Sequence, residues 1–257
     1  MDLFGAVRAY PAPATPYERV ADLVRRLRPF KAPQGLIRIG PDGDGGYLVP
    51  DDLDGISACL SPGVSTVSEF EYACADRGIP CFLADRSVDG PSIDHRLFSF
   101  EKRHVGAMTN SDTMTLDDWV DLRMPADGDD LLLQMDIEGD EYESILSMSP
   151  RLLRRVRIAV IEFHGLQDLW NRPWFNLVAP AFDKLLHGHA CVHIHPNNCY
   201  PAFRCRGLSI PCVAEFTFLR RDRLGGRVPP LATEFPHPLD RDNTDADPVI
   251  LPREWHG

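Results

Sequence analysis

"LLLQMDIEGDEYESIL", residues 131–146, drives an apolar strand into a knot of carboxylates. Leu131 to Met135 are apolar or neutral, whereas Asp136, Glu138, Asp140, Glu141 and Glu143 crowd together before apolar spacing resumes. The pattern predicts a buried strand ending on Asp136, a turn at Gly139 and a short helix over "DEYESIL". Such a knot suits a metal site, a catalytic base or an acidic helix N-terminus. For Asp140, Glu141 and Glu143 the helix start is the simpler reading, because acids in a first turn complement the helix dipole. Asp136 and Glu138 precede the turn and are not explained that way.

Outward from this stretch, strands alternate with helices. "ISACLSPG" (56–63), "PCFLAD" (80–85), "RLFSFE" (96–101), "RIAVIEFH" (157–164), "HACVHIHP" (189–196) and "CVAEFTFLR" (212–220) have strand character. "SEFEYACADRG" (68–78), "TMTLDDWVDL" (113–122) and "WFNLVAPAFDKLLHG" (174–188) have helical spacing, with Ser68 and Thr115 as expected caps. "TPYERVADLVRRL" (15–27) predicts a helix with Thr15 as cap, Pro16 in the first turn and Glu18 closing a capping box. "RIGPDGDGGYLVP" (38–50) predicts a tight turn between two extended pieces. The alternation implies an α/β fold with a mainly parallel sheet, helices on both faces and an antiparallel pair at one edge. The expected organisation is a lead-in and helix over 1–34, the main domain over 35–220 and an extended, surface-wrapping tail over 221–257.

With 257 residues and a formal net charge of −11, the chain can bury a full core and its field argues against binding nucleic acid. No apolar run reaches the ~20 residues of a membrane span, and the N-terminus does not resemble a signal peptide. The seven cysteines include no CxxC and suit a reduced compartment, so a cytoplasmic protein is expected. A homodimer is the base-rate expectation.

In open α/β sheets, ligands bind beyond the carboxyl ends of the strands. The first such end carries Gly63, and the next carries Asp85 about twenty residues on, suited to ribose hydroxyls. A single-glycine turn favours a nucleoside over a dinucleotide pyrophosphate. Three further ends carry Asp136 and Glu138, Glu162 and His164, and His193 and His195, each pair two residues apart and so directed alike along a strand. Asn197 and Asn198 follow. This rim supports two chemistries. Asp136, His164 and Glu138 are candidates for a general base that takes a substrate hydroxyl proton. Alternatively, Asp136, Glu162, His164, His193 and His195 are candidate ligands for a divalent ion such as magnesium or manganese.

"SPGVSTVSEFE", "FLAD", "TMTLDDW", "LLLQMDIEGDEYESIL" and "IAVIEFHG", in that order, resemble the FkbM-type methyltransferases over roughly 35–220. The resemblance implies a Rossmann-like, class I methyltransferase sheet whose last strand is antiparallel. It implies S-adenosylmethionine as cofactor and methyl transfer to oxygen, on a small-molecule or glycan acceptor such as a sugar or natural product. It places Ser61, Pro62, Gly63 and Ser65 at the methionine part of the cofactor, with Glu69 following. Asp85, with Arg86 beside it, falls at the ribose, Asp112 or Thr113 near the adenine and Asp136 beside the sulfonium. "SPGVST" departs from the commoner acidic-glycine form of this turn. A metal-dependent glycosyltransferase or hydrolase, or an inert cofactor-binding module, are the competing expectations.

Overall fold

The computed structural model describes residues 12–124, 129–226 and 229–257; residues 1–11 of the expected lead-in lie outside the described residues. In chain order the elements are α1 (Tyr17–Arg26), β1 (Leu36–Ile39), β2 (Tyr47–Pro50), β3 (Ile56–Pro62), α2 (Glu69–Asp76) and β4 (Cys81–Ala84). There follow β5 (Phe98–Glu101), β6 (His104–Val105), β7 (Thr113–Met114), α3 (Leu116–Arg123), β8 (Asp130–Met135), α4 (Glu141–Ser147) and α5 (Pro150–Arg155). The remainder is β9 (Val156–Phe163), α6 (Arg172–Gly188), β10 (His189–Pro196), β11 (Phe203–Cys205), β12 (Leu208–Ile210) and β13 (Ala214–Arg220).

Seven strands form one sheet in the order β10-β13-β9-β8-β3-β4-β5. The pairs from β9 to β5 are parallel, and β13 is antiparallel to both β9 and β10. Among the described residues, a mostly parallel seven-stranded sheet with six α-helices is compatible with a Rossmann-like methyltransferase. The strand that opens the carboxylate knot, β8, is central. Its Leu131, Leu133 and Met135 enter a core shared with α1 and α3 to α6, while Leu132 enters a second core with α2 and the β1–β2 hairpin. Burial on both faces is why the strand is a continuous apolar run rather than an alternating one. Gln134 and Asp136 continue the Leu132 face, so the site grows toward the hairpin side. There the Thr217 hydroxyl donates to the Leu48 carbonyl at 2.6 Å, seating the hairpin on β13.

Two expected caps differ. The first helix starts after Pro16, and Thr15 makes no capping bond: its N–H donates to the Trp170 carbonyl at 2.8 Å and its hydroxyl is buried without a partner. Docking the entry to α1 against the start of α6 has displaced the capping box. Ser68 does precede α2, but its hydroxyl pairs with Ser92 at 2.7 Å and accepts from the Ile93 N–H at 3.0 Å, fastening the loop after β4 instead. Thr115 caps α3 as expected, accepting the Asp118 N–H at 3.1 Å.

The described residues after β13 hold little regular structure beyond 3-10 turns at Arg221–Leu224 and Arg253–Trp255, and are anchored by Leu251 and Trp255, both buried. On the way they cross the ends of β10 and β13. Asn198 exchanges hydrogen bonds with Thr244 and Ala246, and the Asn243 amide donates to Glu215 at 2.9 Å and to Asp44 of the hairpin loop at 3.2 Å. Among the described residues, no helix is long and apolar enough to cross a membrane.

Candidate active site

The turn after β3 and the end of β8 are locked together. Asp136 donates its N–H to the Pro62 carbonyl at 3.2 Å, and the Gly63 N–H donates to Ala84 at 2.9 Å. Gly63 has φ +86, and a Cβ there would lie 1.5 Å from the Asp136 carbonyl oxygen. Only glycine meets both conditions. Across the cleft, Asp85 accepts from the Ser65 N–H at 2.8 Å, the Ser87 N–H at 2.7 Å and the Ser87 hydroxyl at 2.6 Å. Gly63, Ser65, Asp85, His104, Asp136 and Glu138 line a cavity of about 220 Å³. A second lobe of about 140 Å³ shares Gly63, Ser65, Asp136 and Glu138, and adds Asp44, Tyr47 and Gln134.

Asp136 and Glu138, common to both lobes, belong to the rim, and His164 lies within 4.8 Å of their oxygens. His164, just past β9, places Nε2 3.4 Å from Glu138 Oε2 and 3.6 Å from Glu162 Oε1, and Nδ1 3.2 Å from Glu141 Oε1. Glu141 is fully buried. Its Oε1 also accepts the N–H groups of Gly139 at 2.9 Å and Ile137 at 3.3 Å, so one carboxylate folds the turn and orients the imidazole. The neighbouring Tyr142 hydroxyl donates to the His164 carbonyl at 2.8 Å, fixing its backbone as well. Glu138 adopts a left-handed backbone, φ +58, and its side chain is 85 % exposed.

Burial and like charge dominate the electrostatics. Desolvation pushes the Asp136 carboxyl up to about 7, opposed by His164 and reinforced by Glu138, Glu141 and Asp44. Glu162 is held well above the carboxylate range by burial, with Asp136, Glu215 and Asp44 adding to it, and the Asn197 amide opposing. For His164, burial works against the imidazolium, but the hydrogen bond and charge of Glu141, then Asp136 and Glu138, raise the pKa above its ordinary value.

The structure brings together Asp136, Glu138, Glu162 and His164, and sets Gly63, Ser65 and Asp85 on the same cleft. Other expected residues lie elsewhere. Ser61 is fully buried beneath the cleft, between Glu71 and Gln134 Oε1 (2.6 Å to the latter), because its strand position points inward. Pro62 contributes only its carbonyl. Glu69 accepts its neighbour's Ser68 N–H, and Arg86 pairs with Asp112 at 3.6 Å on the surface. Thr113 pairs with His104 across β6–β7, and it is His104 and Val105 that reach the cavity. His193 and His195 do not join the rim: Asp240 of the tail holds them, 2.8 Å from His193 Nε2 and 3.6 Å from His195 Nδ1.

Sequence reasoning set Glu141 aside as helix decoration. Its only signal is an acid two residues beyond the Gly139 turn, able to reach back over it. Asp44, Tyr47 and Gln134 were also missed, since nothing local marks them as facing a pocket.

The sequence model for the methyltransferase FkbM domain matches residues 53–188. No curated protein matches the chain. The matched span holds Gly63, Asp85, Asp136, Glu141, Glu162 and His164. The β1–β2 hairpin and the tail lie outside it.

Proposed function

The chain belongs to the FkbM methyltransferase family, and from that premise we propose that it transfers a methyl group from S-adenosylmethionine to a hydroxyl of a sugar, glycan or natural product. The observation that carries the reading is the cleft itself, bounded by Asp85 at one end and by Asp136 and Glu138 at the other, with His164 next to that pair.

The residues fit the cofactor's chemistry. Asp85 is fixed by three donors, yet an ionised carboxylate has about four acceptor sites, leaving capacity for a ribose hydroxyl. Val105 and Ile137 supply apolar wall for a base. An acidic rim at Asp136 and Glu138 favours a positive sulfur over an anionic group. When bound, the cofactor supplies a methyl group on a sulfonium, open to in-line attack.

The chain's own work is then to align an acceptor hydroxyl and take its proton. His164 is suited to the second task. Glu141 holds Nδ1, which fixes the tautomer and leaves Nε2 toward the rim as acceptor. Asp136 completes the polar wall against the hydroxyl. A divalent ion at the same rim would instead take His164 Nε2 as a ligand and lower the hydroxyl's pKa itself, in place of the base. The smaller lobe, with Asp44, Tyr47 and Gln134, takes the acceptor, and its donors and acceptors suit a hydroxylated molecule. We assign the work to the cytoplasm, with all seven cysteines free thiols, and to a homodimer, which light scattering tests.

Calorimetry with S-adenosylhomocysteine, followed by its release from S-adenosylmethionine over a panel of hydroxylated acceptors, tests this. Binding with turnover supports the transferase. Binding without turnover on any acceptor supports an inert module, and absence of binding removes the reading.

A further inference from the structure

We infer that Asp136, Glu138 and His164 form a divalent-cation site of the manganese and magnesium class, with Glu162 beside it. Each of the three offers one ligand atom, and these atoms all lie within 4.8 Å of one another. Two carboxylate oxygens and one imidazole nitrogen are a donor set for hard to borderline divalent ions, with manganese the best match to mixed oxygen and nitrogen. Open positions would remain for water or a substrate oxygen.

A group of acids alone would not establish a site. Here three buried carboxylate oxygens, on Asp136, Glu141 and Glu162, lack a partner among the described residues, and two of them belong to the site. Asp136 Oδ1 is inaccessible and accepts no hydrogen bond, and Glu162, only 4 % exposed, leaves Oε2 equally unpaired. Buried polar atoms are nearly always satisfied, and a bound ion or an ordered water is the ordinary explanation for an exception. The crowding of acids points the same way: four carboxyl groups, from Asp136, Glu138, Glu141 and Glu162, stand around a single imidazole, more than it can pair. Glu141 adds the feature that separates a ligand histidine from an ordinary one. Metal-bound histidines usually give their other ring nitrogen to a carboxylate, which sets the tautomer and the ring plane. Glu141 Oε1 stands 3.2 Å from Nδ1 and is itself fixed by two backbone N–H groups. Nε2 is thereby turned toward Glu138 and Glu162. The inference concerns the rim's residues and does not require the transfer reaction.

The test is titration of the full chain, stripped with chelator and dialysed, with Mn²⁺ alone, followed by calorimetry and by loss of the free-ion electron-paramagnetic-resonance signal. One ion per chain is expected, with nitrogen hyperfine coupling from an imidazole. Asp136→Asn and His164→Gln should each weaken binding by at least about tenfold, and Glu141→Gln by about tenfold through the ring it orients. His164→Gln should also abolish the nitrogen coupling. Glu143→Gln, on the exposed side of α4, should bind as the parent does. Thermal melts establish that each variant is folded; should Asp136→Asn fail to fold, His164→Gln and the coupling decide alone. No binding at millimolar Mn²⁺, or binding that survives both substitutions without imidazole coupling, overturns the site. S-adenosylhomocysteine binding measured in chelator reports on the transferase reading separately, so either can fail without the other.

Discussion

Glu141 Oε1 lies 3.2 Å from His164 Nδ1, and the same oxygen gathers the N–H groups of Ile137 and Gly139. One buried carboxylate thus ties the turn after β8 to the end of β9. The acid-rich stretch 136–143 divides accordingly: Asp136 and Glu138 face the cleft, Glu141 holds them and the imidazole in place, and Glu143 is exposed on α4.

If His164 takes the acceptor proton, kcat/KM rises with pH through its ionisation, which lies above the ordinary histidine value chiefly because Glu141 outweighs burial. Glu141→Gln removes the raising partner, so the acidic limb of the pH–rate profile moves to lower pH while maximal activity falls. His164→Ala should cost about 10²-fold or more in kcat. A limb that stays in place in Glu141→Gln would assign the ionisation to another group.

Gly63 tolerates no side chain. In Gly63→Ala the new carbon meets the Asp136 carbonyl oxygen at 1.5 Å with φ at +86, so strand ends must separate. A loss of roughly 4 kcal/mol or more is expected, placing the variant in the severe tail of single substitutions. Urea unfolding measures it; a loss below about 1 kcal/mol would show that the turn can shift freely.

Glu71 is a buried acid that burial pushes up to about 7, against the Ser61 hydrogen bond that favours its ionised form. With Gln134 presenting Oε1 to Ser61, the one Ser61 hydroxyl proton cannot serve both neighbours, and a protonated Glu71 supplies the second. Its folded pKa exceeds the unfolded value, so its stabilising share is full below about 4.3 and is lost as pH rises through about 7. Glu71→Gln should therefore gain on the parent between pH 5 and pH 8, by up to about 3 kcal/mol. Chemical denaturation at the two pH values reads the difference, and parallel losses in both proteins would contradict it.

Asp240 is the tail's anchor, and His193 and His195 hold its carboxyl well below the usual range against the effect of burial. That share of stability is present above the ordinary carboxylate range and fades as pH falls through the lowered value. His195, raised against burial by Asp240 and Glu215, contributes below the ordinary histidine value and loses its share as pH climbs past its folded pKa. Asp240→Asn should cost the tail about 3 kcal/mol near pH 5.5 and hasten tryptic cleavage at Arg241, with the effect shrinking toward pH 9. Equal cleavage rates at pH 5.5 would dismiss the anchor.

The sheet was legible because β8 and β9 are largely apolar runs and the intervening helices carry 3.6-residue spacing. Asp136, Glu162 and His164 were legible for the same reason, each standing where an apolar run stops. The spacing-of-two argument met its limit at Glu138: the chain leaves the strand after Met135, and a left-handed residue, not pleat geometry, sets that side chain near His164. His193 and His195 satisfied the same pattern and were taken up by Asp240, 47 residues beyond His193, in a segment with no periodicity to announce it. Ser61 was placed at the cleft by likeness of motif, whereas the alternation of β3 turns it into the interior.

Asn243 joins Asp44 across 199 residues of chain, and Glu215 across 28. During synthesis every strand of the sheet and the whole Asp85–Asp136 cleft emerge before that contact can form. The hairpin loop that walls the small lobe is therefore braced last, after the portion that the family shares has been made. Variation in the hairpin loop can reshape what enters that lobe while leaving the assembly of the central sheet untouched.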